Sequence, residues 1–153
     1  METNVEPIPK GYHSLTPYLI VNDAKKAIQF YEKVFGAKEL YRMDAPNGKI
    51  GHCEIEIGDS RFMLADEFPE RGAVAPTQGG RAFSLVLYVP NVDEIFDEAI
   101  DNGGVIVHPV KDQFYGDRMG TFRDPFGHEW SVGTHVEDVS PEEMDKRSKE
   151  MFS

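Results

Sequence analysis

The sequence predicts an α+β protein made of two similar modules, each a strand, a helix and three further strands, with one more helix at the C-terminus. Three observations carry that reading. Apolar residues alternate at period two in short runs, as in Trp130 and Val132, leaving Glu129, Ser131 and Gly133 on the opposite face. Two stretches carry the i, i+3, i+4, i+7 stripe of a helix that buries one side: Ala24, Ala27, Ile28 and Tyr31, then Val92, Ile95, Phe96 and Ala99. An offset of about 68 residues superposes the two stripes, lays Ile57-Gly58-Asp59 near the Pro125–Gly127 turn, and puts Met63 on Ser131. A repeat this long means two modules and not a stacked array.

The elements follow in order. Residues 1–12 read as a loose arm, 13–65 as the first module, 66–82 as a connector or a lid, 83–135 as the second module and 136–153 as a helical tail. The first strand is expected over Leu15–Val21, with Leu19 and Val21 inward and Thr16, Tyr18 and Ile20 outward. Asn22 or Asp23 caps a helix to Phe35, where Gly36 ends it, as Gly104 is expected to end its counterpart. Lys38–Met43 and Ile50–Ile57 form strands around the Pro46-Asn47-Gly48 turn. In the second of them Cys53, Ile55 and Ile57 share the apolar face, and His52, Glu54 and Glu56 the polar one. Arg61–Ala65 is the last strand of the module, with Phe62 and Leu64 toward the helix.

The second module repeats the plan with strands at Phe83–Val89, Val105–Val110, Tyr115–Arg123 and His128–Thr134, and a helix from Val92 to Ile100 capped by Asn91. Ser140-Pro141-Glu142-Glu143 combines a capping box with proline at the first helical position and starts the final helix, whose Met144, Met151 and Phe152 suggest docking on the body or on a second subunit.

Composition narrows the partners. A formal charge of -11, from 27 acidic and 16 basic residues, opposes phosphate backbones and anionic lipid surfaces, so neither nucleic acid nor membrane is expected as a partner. A single cysteine, Cys53, forms no internal disulfide and points to a reducing compartment. With no apolar run near the length of a membrane span and a polar N-terminal segment, the expected location is cytoplasmic. Gly103-Gly104 ends a helix instead of opening one, so it makes no phosphate loop, and neither Ser84 nor Ser131 lies in a nucleophile elbow.

Phe30-Tyr31-Glu32-Lys33-Val34-Phe35-Gly36 closing the first helix and Asp124-Pro125-Phe126-Gly127-His128 near the end resemble the vicinal oxygen chelate superfamily, which includes glyoxalase I, bleomycin-resistance and fosfomycin-resistance proteins and extradiol dioxygenases. Thr16-Pro17-Tyr18-Leu19, Phe114-Tyr115-Gly116-Asp117-Arg118 and Gly127-His128-Glu129-Trp130 are similar to its PhnB-like branch. The resemblance implies tandem βαβββ modules whose curved mixed sheets form a cup with helices outside and ligand inside, and a homodimer. It also implies a divalent metal held by His and Glu from the first and last strands of each module. Carried over residue by residue, those four positions are Thr16, Met63, Ser84 and Ser131, a thioether and three hydroxyls that suit no such metal.

Other residues offer chemistry on the polar faces. His52, Glu54 and Glu129 supply one imidazole and two carboxylates, a fallback metal set or equally a polar wall. In a water-excluding cup Glu54 or Glu129 would gain a raised pKa and act as general base. Arg61, Arg118, Tyr18, Tyr88 and Tyr115 would clamp an anionic or planar ligand, unless the arginines only neutralise neighbouring carboxylates. The expected function is small-molecule binding without cofactor, with Tyr18, Tyr88 and Met63 against the ligand, His52, Arg61 and Arg118 on its polar groups, and Ser84 and Ser131 available to hydrogen-bond it. A metal-dependent lyase, isomerase or dioxygenase with displaced ligands, and an interaction module with a filled cup, are the alternatives. His13, His108, His128 and His135 read as turn residues, Trp130 and Cys53 as core.

Overall fold

The structure, a computed structural model, describes residues 6–76 and 83–151. Residues 1–5 of the expected arm, residues 77–82 of the expected connector and Phe152 of the tail lie outside the described residues. Two compact units divide the chain, residues 1–77 and 78–153.

In the first unit β1 (Tyr18–Val21), α1 (Ala24–Phe35), β2 (Lys38–Asp44), β3 (Ile50–Ile57) and β4 (Ser60–Asp66) build a four-stranded mixed sheet in the order β1-β4-β3-β2. Strands β1 and β4 are parallel, while β4, β3 and β2 run antiparallel in turn. Leu19, Val21, Cys53, Ile55, Phe62 and Leu64 bury one face, and Ala27, Ile28, Tyr31 and Val34 of α1 are buried too, with the Tyr31 ring edge-on to Phe62 at 5.7 Å. Asp23 caps α1 by accepting the Lys26 N–H at 3.1 Å, and Gly36 closes it at φ 67, where a Cβ would be strained. Strand β1 starts three residues later than the expected Leu15. Pro17 has no N–H to give the ladder, although its carbonyl still accepts the Met63 N–H at 2.9 Å.

The second unit repeats this order with β5 (Leu85–Tyr88), α2 (Val92–Asp101), β6 (Val105–Asp112), β7 (Asp117–Arg123) and β8 (Glu129–His135), arranged β5-β8-β7-β6. Phe122, Trp130 and Val132 are buried on the α2 side, with Phe96 edge-on to Phe122 at 5.9 Å. Helix α2 ends at Asp101, so the left-handed residue after it is Gly103, at φ 103, and not Gly104 as expected. Gly104 is needed for another reason: a Cβ there would press on the Ala99 carbonyl and the Phe122 ring. Pro109 does not end its strand. It lies in the edge strand β6, where a missing N–H costs no ladder bond to a second neighbour, and the register against β7 shifts on both sides of His108. Phe83 and Ser84 precede β5, and Tyr115 and His128 precede β7 and β8, each outside the strand expected to hold it.

Two buried carboxylates fasten the units internally. Asp66 accepts the Ala24 N–H at 2.8 Å and the Ile50 N–H at 2.7 Å, which joins β4 to the start of α1 and to β3. Residue 66 therefore belongs to the sheet and not to the connector. Asp124 accepts the Phe126 N–H at 2.9 Å, the His128 N–H at 3.0 Å and the Trp130 indole N–H at 2.9 Å, which folds the turn before β8 over its own side chain.

Helix α3 (Pro141–Met151) starts at Ser140, whose hydroxyl accepts the Glu143 N–H at 3.1 Å. The reciprocal half of the capping box is missing because Glu143 turns to Arg147 at 3.0 Å. None of its described residues is buried, and Met151 is exposed. What anchors α3 is Arg147, which bonds the Phe114 carbonyl at 3.0 Å and Glu137 at 2.8 Å. No helix among the described residues is long and apolar enough to cross a membrane.

Candidate functional site

Strand alternation sends the core residues of each sheet to its helix and the polar set to the other face, so each unit has its own candidate surface. On the first sheet, β3 and β4 place Glu54 opposite Met63 and Glu56 opposite Arg61, while β1 places Tyr18 beside Met63. The Tyr18 hydroxyl lies 2.9 Å from His52 Nδ1, and His52 Nε2 lies 3.0 Å from Glu54 Oε2. The other Glu54 oxygen accepts the Tyr12 hydroxyl. Arg61 donates to Glu56 at 3.0 Å and to the Lys10 carbonyl at 3.2 Å, and its guanidinium lies 5.2 Å from the centre of the Tyr12 ring. Residues 10–12 are thus tied to the sheet, where a loose arm was expected.

The electrostatics follow from these contacts. Glu54 is held below the usual carboxylate range, first by the Tyr12 hydroxyl and then by His52, so it is a better anion and a weaker base than the raised pKa expected for it. Burial and the neighbouring Cys53 and Glu54 raise the Tyr18 phenol. Tyr12 is pushed up to about 12 by burial and by Glu54. Cys53 is fully buried, and its thiol is pushed up to about 12 chiefly by burial, which makes it core and not a nucleophile.

The second sheet differs. Ser131 pairs with Thr121 across β7 and β8, and their hydroxyls share a 2.8 Å hydrogen bond. They help to line a cavity of about 370 Å³. Met119, Tyr115, Pro109, Gly120, His108, Lys111 and Gln113 line the rest of it. The Tyr115 hydroxyl reaches only the Met119 sulfur, at 3.4 Å, a weak acceptor. Among the described residues, the Lys111 and His108 side chains have no ion-pair or hydrogen-bond partner. No lining residue is a carboxylate, in a protein with 27 of them.

The remaining candidates fall elsewhere. Arg118 shares the helix face of β7 with Gly120 and Phe122, and it is bound to Asp93 at 2.8 Å and Asp112 at 3.2 Å, so its guanidinium is engaged by two carboxylates. Tyr88 donates to the buried Asp117 at 2.7 Å. Asp117 also meets His135, whose other nitrogen meets Asp138, both at 2.7 Å, and these carboxylates raise the His135 pKa. Glu129 is largely buried and lies 3.5 Å from Arg123. Ser84 is exposed. His52 and Glu54 belong to the first unit and Glu129 to the second, and among the described residues no group of three or more His, Cys, Asp or Glu could hold a metal ion. The positions implied as metal ligands offer no imidazole or carboxylate, so the donor set does not fit such a metal.

Sequence reasoning missed Tyr12, Thr121, Lys111 and Asp117. Thr121 and Asp117 were legible in principle, since they alternate with Gly120 and Phe122 along one strand. Tyr12 was not, because its bond to Glu54 spans 42 residues from a segment without periodicity.

Comparison with known proteins agrees with this architecture. The profile of the Glyoxalase/Bleomycin resistance protein/Dioxygenase superfamily matches residues 12–132. An uncharacterized protein of Mycobacterium bovis is 40% identical over 148 residues, which cover 94% of this chain and 93% of that protein. Among solved structures, TioX from Micromonospora sp. ML1 is 27% identical with a TM-score of 0.64, over 81% of this chain and 99% of that one. The PhnB protein from Bacillus cereus is 18% identical with a TM-score of 0.63, over 80% and 99%.

Proposed function

Because the chain belongs to the glyoxalase/bleomycin resistance protein/dioxygenase superfamily, we propose that it binds a small organic anion in the cavity of its second unit, without the divalent metal implied for catalytic members. The observation that carries this is the lining. About 370 Å³ is room for a compact organic molecule. Lys111, His108, Gln113, Tyr115, Thr121 and Ser131 offer N–H or O–H donors, and no lining carboxylate repels an anion. Met119 and Pro109 supply the apolar wall for the rest of the ligand. Binding needs affinity alone, so a thioether and three hydroxyls at Met63, Thr16, Ser84 and Ser131 are no handicap.

The test is a thermal-shift and calorimetric series of aryl carboxylates against their amides and amines, with metal content measured on the same untagged protein. The carboxylates are expected to raise the melting temperature and the amines not to. Equal binding of all three forms, or stoichiometric metal lost in His52→Ala, would overturn the reading.

A further inference from the structure

The first unit carries a second arrangement that the binding reading does not use. We propose that Tyr18, His52 and Glu54 form a metal-free acid–base centre, in which the Tyr18 hydroxyl takes a proton from a small hydroxyl or enol compound while passing its own to His52. All three residues lie within residues 1–77, and the residues that line the cavity lie in the other unit.

The tautomer follows from the partners. Glu54, as an anion, only accepts hydrogen bonds, so the 3.0 Å contact requires a proton on His52 Nε2. A neutral imidazole then has a bare Nδ1, and the Tyr18 O–H donates to it at 2.9 Å. The Tyr12 hydroxyl donates to the second Glu54 oxygen, which orients the carboxylate toward the ring. The donors therefore all point toward Glu54: the Tyr18 hydroxyl to His52, and the His52 ring N–H and the Tyr12 hydroxyl to the carboxylate. Nucleophile to base and base to orienting carboxylate are both within the range found in hydrolytic triads, with a phenol in place of an alcohol.

The step balances without a co-reactant. The ligand O–H bond breaks and its electron pair stays on the ligand oxygen. The proton forms a new bond to the Tyr18 oxygen as the original Tyr18 proton moves to His52 Nδ1. The imidazolium so formed faces the Glu54 carboxylate, whose depressed pKa keeps it charged. Tyr18 itself is pushed toward the neutral phenol, so its reactivity depends on His52 accepting the proton. Its side chain is reachable, with 45% of the residue exposed.

Tyr41 is the internal control. It is 49% exposed and its ring lies 6.4 Å from His52, but its hydroxyl has no hydrogen-bond partner among the described residues. The experiment labels the intact protein with phenylmethanesulfonyl fluoride and maps the sites by peptide mass spectrometry across pH. In this probe reaction a tyrosine oxygen bonds to sulfur, fluoride leaves, and the phenol proton goes to the base. Tyr18 is expected to label at least tenfold faster than Tyr41 at a pH below that at which phenols ionise. His52→Gln, which keeps the size of the side chain, is expected to bring Tyr18 to the Tyr41 rate. Glu54→Gln, which keeps the shape of the side chain and removes its charge, is expected to lower the ratio of Tyr18 to Tyr41 labelling, which a purely structural role would not do. Equal labelling of Tyr18 and Tyr41 in the unsubstituted protein, or a ratio unchanged in His52→Gln, would overturn the proposal whatever the cavity of the second unit binds.

Discussion

The two units share an order of elements and a register, yet the faces turned away from their helices have little chemistry in common. Tyr18 pairs with Met63 as Val86 pairs with Ser131, and Asp23 caps α1 as Asn91 caps α2. Even the brace at the helix start recurs. Asp66 accepts the Ala24 N–H at 2.8 Å, and at the same offset the Thr134 hydroxyl accepts the Val92 N–H at 2.9 Å. On the far faces the likeness stops: the first carries a hydrogen-bonded chain of tyrosines, histidine and glutamate, the second a cavity lined in part by two hydroxyls. The helix-facing residues and the caps specify the scaffold, and the opposite positions are free to carry different chemistry.

The largest difference between corresponding positions is expected at the turn before the last strand. Asp124 binds three buried donors, while Glu56, one repeat earlier, is partly exposed and paired with Arg61. Asp124→Ala should cost about 3–5 kcal/mol in urea unfolding and Glu56→Ala less than about 1 kcal/mol. The single tryptophan, Trp130, reports the first directly through its emission. Equal losses would mean that the turns do equivalent work. The helix braces come next. Asp66→Ala strands two buried N–H groups and should cost about 2–4 kcal/mol, whereas Thr134→Val strands one and should cost about 1–2 kcal/mol.

Ligand binding separates the far faces. Lys111→Ala should weaken aryl carboxylate binding by about tenfold in calorimetry, as expected for loss of one charge-assisted contact. Arg61→Ala in the first unit should leave that affinity unchanged. The smallest effect is in pH dependence, which has opposite sign in the two units. Glu54 is depressed by Tyr12 and His52, so its contribution is present above the carboxylate range and is lost as pH falls through its folded pKa. His135 is raised by Asp117 and Asp138, so its contribution is present in acid and is lost as pH rises through its folded pKa. Comparing unfolding midpoints of Glu54→Gln and His135→Asn with the parent protein across pH should show the two mutants converging on the parent at opposite ends of the range.

Much of this was legible in the sequence because it is local or periodic. Helix stripes, caps at Asp23, Asn91 and Ser140, the alternation in β3 and β8, and the repeat all follow from side-chain volume and polarity at fixed spacing. Strand ends were less legible: Pro17 shortened β1 because it lacks an N–H, whereas Pro109 was tolerated because β6 is an edge. The sequence by itself determined that His52 and Glu54 share a face, since period two admits no alternative once Cys53 and Ile55 are buried. Only the tertiary structure decided that Tyr12 closes on Glu54, that Tyr18 reaches His52, that Arg118 is bound to Asp93, and that Thr121 and Ser131 line one cavity with Lys111. Those contacts join segments far apart in the chain, and their partners are chosen by strand order and register, which no local pattern of residues encodes.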